Sequence, residues 1–294
     1  MYDQILFPTD GSEPAAASLD YAAQIAEEHD GTLHILNVAD TNQESLATIR
    51  GEVVDVLEQE GEQIVDEATA RASERGISVV SEVVQGSPHD AIVEYSEEFA
   101  IDLIVMPTHG RSGLKRVLLG SVTERVINTA DVPVISVNPD EEHQPTYPSE
   151  RILVPVDGSR GAQLALTEGI AVAKATGATL HLLHVVETGS LGPDARSVLK
   201  EQELTAQAND IITEAVKRAE AESLDAIVTD IEHGKPLSEI RSYIRTESID
   251  LAILGTHGTT DFSRYVMGGV SAKLVRSAPI PVMWVREADS DGEQ

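Results

Sequence analysis

Ile5-Leu6-Phe7-Pro8-Thr9-Asp10-Gly11-Ser12 returns later in the chain as Ile152-Leu153-Val154-Pro155-Val156-Asp157-Gly158-Ser159. A second pair of stretches behaves alike: Thr108-His109-Gly110 with Gly120, then Thr256-His257-Gly258 with Gly268. An offset of 147 residues carries Asp10 onto Asp157, and one of 148 carries Gly110 onto Gly258, so order and spacing persist across a half-chain. That is a duplicated domain, and each copy carries its own glycine loop.

Working outward, each octapeptide is an apolar run ending in Asp-Gly-Ser, where Ser12 or Glu13 can open a helix with Pro14 in its first turn. The first copy then reads as strands over 5–9, 32–38, 77–84, 102–106 and 132–137. Helices are expected over 15–28, within 43–75, over 88–99 and from about 121 to 129. The strands are too continuously apolar to be half-exposed. The expected fold is α/β, with two tandem open parallel five-stranded sheets and helices on both faces, Rossmann-like in arrangement. Domains are expected over 1–139 and 150–287, with a linker at 140–149 and an acidic tail at 288–294. The stretch from Asn138 to Glu150 holds three prolines and four carboxylates, which reads as exposed chain. Pro133 and Pro281 open the last strand of each copy, as proline does on an edge. Pairing of these two strands within one chain, an intramolecular pseudo-dimer, would cover them, and a homodimer of chains stays open.

Among 294 residues, Asp and Glu number 50 against 21 Lys and Arg, a formal charge of −29. Such a surface repels phosphate backbones and anionic lipid, so neither nucleic acid nor membrane is an expected partner. The acidity suits a halophilic protein, since a Debye length of about 3 Å at 1 M salt screens self-repulsion. Without cysteine there are no disulfides, thiolate metal sites or cysteine nucleophiles. The first strand begins too early for a signal peptide, and no apolar run approaches the ~18 residues of a membrane span, so a cytoplasmic location is expected.

Ligands of parallel sheets lie beyond the carboxyl ends of the strands. Pro8-Thr9-Asp10 and Met106-Pro107-Thr108-His109-Gly110 occupy such ends. Nine residues separate Gly110 from Gly120-Ser121, and Ser121 starts a helix whose free N–H groups suit an anion, phosphate first.

The pattern Gly-x2-Gly-x9-Gly-Ser/Thr after the fourth strand, with Pro-x-Asp after the first, resembles the universal stress protein family over residues 3–137 and 150–286. The resemblance implies an adenine nucleotide alpha hydrolase-like fold, dimerisation through the last strand and, in the ATP-binding branch, ATP as ligand with Mg as its companion. Carried over by motif, the first copy's adenine and ribose contacts are Pro8, Thr9, Asp10 and Val38, with Met106 at the neighbouring strand end. Its phosphate contacts are Gly110, Gly120, Ser121, Val122 and Thr123. The second copy offers Pro155, Val156, Asp157, Val185, Gly255, Gly258, Gly268, Gly269, Val270 and Ser271.

Neither copy matches the pattern fully. Pro107 replaces the first glycine of copy one, and Gly269 the terminal hydroxyl residue of copy two. A lost hydroxyl removes about 0.5–1.5 kcal/mol, whereas proline threatens loop shape, so copy two is the expected binder. Arg111, Lys115 and Arg116 are cations that could compensate in copy one. The implied role is a nucleotide-binding stress-response or regulatory module with an unknown protein partner, without catalytic or metal residues of its own. Two alternatives stand beside it: a weak ATP hydrolase or phosphotransferase, and an interaction protein with degenerate loops. A Walker loop is absent. Plainer readings accompany the site residues. Asp10 and Asp157 could cap helices, His109 and His257 could orient the loops, and Arg111 and Lys115 could be a solvated pair. His34, His181 and His184 read as strand residues with satisfied hydrogen bonds.

Overall fold

The structure, a computed structural model, describes residues 1–40, 46–49, 52–110, 119–138, 144–187, 196–256 and 268–287. They form two compact units, 1–147 and 148–287. The first contains β1 (Gln4–Pro8), α1 (Glu13–His29), β2 (Thr32–Asp40), β3 (Leu46–Ile49), β4 (Glu52–Asp55), α2 (Val56–Ser73), β5 (Ser78–Gly86), α3 (Pro88–Glu98), β6 (Leu103–Pro107), α4 (Ser121–Thr129) and β7 (Val134–Val137). Its parallel sheet has the order β7-β6-β1-β2-β5. The connection changes direction between β1 and β6, which creates a crevice at their carboxyl ends. Ile5, Leu6, Phe7, Leu103, Ile104 and Val105 are all fully buried, which is why these strands are apolar on both sides.

The second unit repeats the plan with β8 (Arg151–Pro155), α5 (Arg160–Thr176), β9 (Thr179–Glu187), α6 (Arg196–Ala221), β10 (Ile227–Gly234), α7 (Pro236–Thr246), β11 (Leu251–Gly255), α8 (Gly269–Leu274) and β12 (Val282–Val285). Its strand order is β12-β11-β8-β9-β10, again parallel.

The Asp-Gly-Ser turn divides its labour. Asp10 Oδ1 accepts from the Ser12 N–H at 3.0 Å, Gly11 adopts a left-handed φ of 71°, and Ser12 Oγ accepts from Ala15 N at 3.3 Å as the cap of α1. Asp157, Gly158 and Ser159 repeat this, with distances of 2.9 and 3.1 Å and a φ of 80°. The helix caps are therefore the serines, and the aspartates serve the turn. A second repeated device clamps the chain start of each unit. Asp102 Oδ2 accepts from Asp3 N and Gln4 N at 2.8 and 2.9 Å, and Asp250 Oδ2 from Glu150 N and Arg151 N at 3.0 and 2.9 Å.

Two features go beyond the sequence reading. The helix expected within 43–75 is preceded by the antiparallel pair β3–β4, in which Ile49 faces Glu52. The β-branched Thr48-Ile49 and Val53-Val54 favour extended backbone, so α2 begins only at Val56. The linker is also not wholly exposed: Tyr147 is buried, accepts from or donates to His29 Nε2 at 2.7 Å, and meets Tyr21 edge-on. Residues 140–143 and the tail 288–294 lie outside the described residues. Among the described residues, no helix is long and apolar enough to cross a membrane.

Candidate functional site

A cavity of about 400 Å³ opens at the carboxyl ends of β1, β2 and β6. All ten residues expected in the first copy line it: Pro8, Thr9, Asp10, Val38, Met106, Gly110, Gly120, Ser121, Val122 and Thr123. His109 lines it too, with Nδ1 3.1 Å from Thr108 Oγ1, so it has both a loop partner and a face on the cavity. Arg111, Lys115 and Arg116 lie outside the described residues.

Pro107 does not distort this region. It is the last residue of β6, in register with Val137, and the next ladder bond is made by Thr108 N to Val137 O at 2.9 Å. Its carbonyl accepts from Thr123 Oγ1 at 2.9 Å, which ties the start of α4 to the end of β6. Thr123 thus positions the helix with its hydroxyl. Gly120, the N-cap of α4, bonds through N to Thr108 O at 2.7 Å and offers no capping side chain. Among the described residues no side chain caps the first turn of this nine-residue helix, whose N–H groups point to its N-terminal end. Gly110 lies close to Asp10, and a Cβ there would displace the Asp10 carboxylate.

Several wall residues were not foreseen. Asn37 Nδ2 donates to Thr9 O at 2.8 Å and latches β2 to the end of β1. Gly61 lets α2 approach this latch, bringing Leu57, Glu60 and Ile64 into the wall, while Pro88 and Ile92 come from α3 and Asp40 from β2. A polar Asn37 amid the apolar run of β2 was the one signal available. The helix contributions depend on packing that no local pattern encodes.

The second copy differs at this place. A Cβ on Gly255 would stand 2.5 Å from the Gly161 carbonyl carbon, so the first turn of α5 presses on the end of β11. Ser271 Oγ donates to Gly255 O at 3.1 Å, and Gly268 N to Thr256 O at 2.9 Å, repeating the first copy's clamp. Yet α8 has only six residues. Pro155 and Val185 lie on β8 and β9, Asp157 in the turn before α5, and Gly269, Val270 and Ser271 in α8. Gly258 and His257 lie outside the described residues. A cavity of about 550 Å³ in this unit runs between α5 and α6, past Leu166, Ile211 and Ala215. Of the ten residues expected in copy two, Val156 lines it.

The strand histidines are hydrogen-bonded, as expected. His34 Nδ1 lies 3.0 Å from Tyr95 Oη, and His181 Nδ1 lies 3.1 Å from Tyr243 Oη. Burial lowers both imidazole pKa values and helps push both phenols up to about 12. His184 Nδ1 donates to Val156 O at 2.6 Å, the latch that Asn37 forms in copy one.

The model of the universal stress protein family matches residues 1–138 and again 148–286. The universal stress protein MJ0531 of Methanocaldococcus jannaschii is 36% identical over 140 residues, 47% of this chain and 82% of that protein. Universal stress protein Mb2028c of Mycobacterium bovis is 30% identical over 241 residues, covering 79% of this chain and 78% of the relative. Among solved structures, a universal stress protein from Archaeoglobus fulgidus superposes with a TM-score of 0.71 at 25% identity, over 97% of this chain and 98% of that one.

Proposed function

The chain belongs to the universal stress protein family, and on that premise we propose that its first copy is an adenine-nucleotide-binding module with a regulatory, stress-response role. One observation carries the reading: ten residues from separate segments, selected by motif, line one cavity at the switch point of the sheet. Pro8, Thr9, Asp10 and Val38 would receive the adenosine. The N–H groups at the start of α4, with Ser121, would receive phosphate. The lining includes the carboxylates of Asp10, Asp40 and Glu60, so a triphosphate would enter with Mg, which supplies charge neutralisation when bound.

We assign the nucleotide to copy one, although the sequence expectation favoured copy two. Pro107 fits the end of β6, whereas copy two has Gly161 against Gly255 and a short α8. These features favour a non-nucleotide role for the second copy. Denaturing the purified protein by heat in molar salt and identifying released small molecules by mass spectrometry tests the reading. An adenine nucleotide at up to one per chain is expected. Protein that releases none, and takes up none when incubated with ATP and Mg, would contradict it.

A further inference from the structure

Ser87, His89 and Asp90, at the entrance of α3, form one hydrogen-bonded chain that nucleotide binding does not use. Ser87 Oγ lies 3.0 Å from His89 Nδ1, and His89 Nε2 lies 3.0 Å from Asp90 Oδ1. Arg125 reaches over from α4 to place Nη1 3.5 Å from the same Nδ1. A carboxylate oxygen only accepts, so with the ring proton on Nε2 the single Nδ1 lone pair faces two donors, the Ser87 hydroxyl at 3.0 Å and, at longer range, the Arg125 guanidinium at 3.5 Å. A hydroxyl donating to an imidazole whose other nitrogen is held by a carboxylate is the arrangement of an activated nucleophile.

Three further observations bear on it. Pro88, between Ser87 and His89, and Ile92, one turn on, line the 400 Å³ cavity. Ser87 is the N-cap residue of α3 but makes no capping bond, so its hydroxyl is turned to His89 and the N–H groups of His89 and Asp90 are left for an oxyanion. Finally, copy two provides an internal comparison. An offset of 148 places Lys235, Leu237, Ser238 and Lys273 where copy one has Ser87, His89, Asp90 and Arg125. There α7 forms with the same length of eleven residues and the same proline start as α3. The fold does not need the Ser-His-Asp chain.

We propose that Ser87 is the nucleophile of a carboxylic ester hydrolase site, with His89 as general base and Asp90 and Arg125 as positioning residues. As Ser87 Oγ bonds to the ester carbon, its proton passes to His89 Nδ1. The carbon–oxygen bond to the alcohol then breaks, and the alcohol leaves with that proton. Water attacks the acyl-serine, gives a proton to Nδ1 and releases the acid, and the proton returns to Ser87. Ester and water thus become acid and alcohol, with no other reactant. The proposal stands independently of nucleotide binding.

Diisopropyl fluorophosphate is the probe, applied to the intact chain in molar salt, with adducts located by peptide mass spectrometry. Ser87 is expected to react at least tenfold faster than any other serine. His89→Ala should slow its labelling about a hundredfold or more, and His89→Gln serves the same purpose if the alanine variant melts below the assay temperature. Asp90→Asn should slow labelling while leaving the melting temperature unchanged; a purely structural role would lower both together. Labelling of Ser87 no faster than that of other serines, or unchanged labelling in a folded His89 variant, overturns the proposal.

Discussion

Gly61→Ala sets two effects of opposite sign against each other. In an exposed helix interior the change gains about 1 kcal/mol of propensity. Here a Cβ would stand 2.6 Å from Asn37 Oδ1 and 2.9 Å from Val83 Cγ1. Asn37 cannot simply swing away, because it is buried and its Nδ2 holds Thr9 O, and Val83 is β-branched. Overpacking of this kind costs about 1–3 kcal/mol, and loss of the latch adds about 1 kcal/mol. The net expectation is a loss of about 1–3 kcal/mol, or a fall of roughly 3–10 °C in the melting temperature of the first unit. In copy two the offset of 147 puts Ala208 at this place and His184 in the position of Asn37. Ala208 is fully buried, so the reverse change Ala208→Gly should also destabilise, by about 1 kcal/mol or more. Thermal melts in molar salt decide the matter. A Gly61→Ala variant that melts higher than the parent would refute the close-approach reasoning and leave propensity as the whole effect.

Asp102→Ala and Asp250→Ala each remove an acceptor shared by two backbone N–H groups, and each should cost about 1–3 kcal/mol in denaturant melts, with Asn costing less because it keeps an acceptor. His34 and His181 have pKa values held below 6.5, so the unfolded chain takes up protons there that the folded chain refuses. Their contribution is fully present above about pH 6.5 and is lost as pH falls below it; His34→Gln with His181→Gln should flatten that part of a stability–pH curve. Because a net charge of −29 is screened by salt, the melting temperature should rise between dilute and molar salt.

The sequence disclosed what depends on local pattern and on the repeat. The apolar runs of β1, β2 and β6, the Asp-Gly-Ser turns and the start of α4 at Ser121 could each be read from neighbouring residues. The β3–β4 pair could have been seen in its β-branched residues, but the helix-forming residues of α2 beyond it dominated the window. The cavity's outer wall was not legible, because Ile64 and Ile92 read as ordinary helix-face apolar residues until α2 and α3 are docked. Nor does the sequence show how Pro107 sits in its strand. Proline at the last position of a strand costs no ladder bond, and the close packing of Gly161 on Gly255 comes from another element.

Calorimetric titration of ATP with Mg in molar salt, comparing Asp10→Ala with Asp157→Ala, tests the central claim most directly. Asp10 lines the first copy's cavity against Gly110, and Asp157 is its counterpart in the second turn. One site per chain is expected in the parent, kept by Asp157→Ala and weakened about tenfold or more by Asp10→Ala, as befits hydrogen bonds to a charged group. Binding that survives Asp10→Ala unchanged but is lost in Asp157→Ala, or no binding to the parent at all, would contradict the assignment of the nucleotide to the first copy.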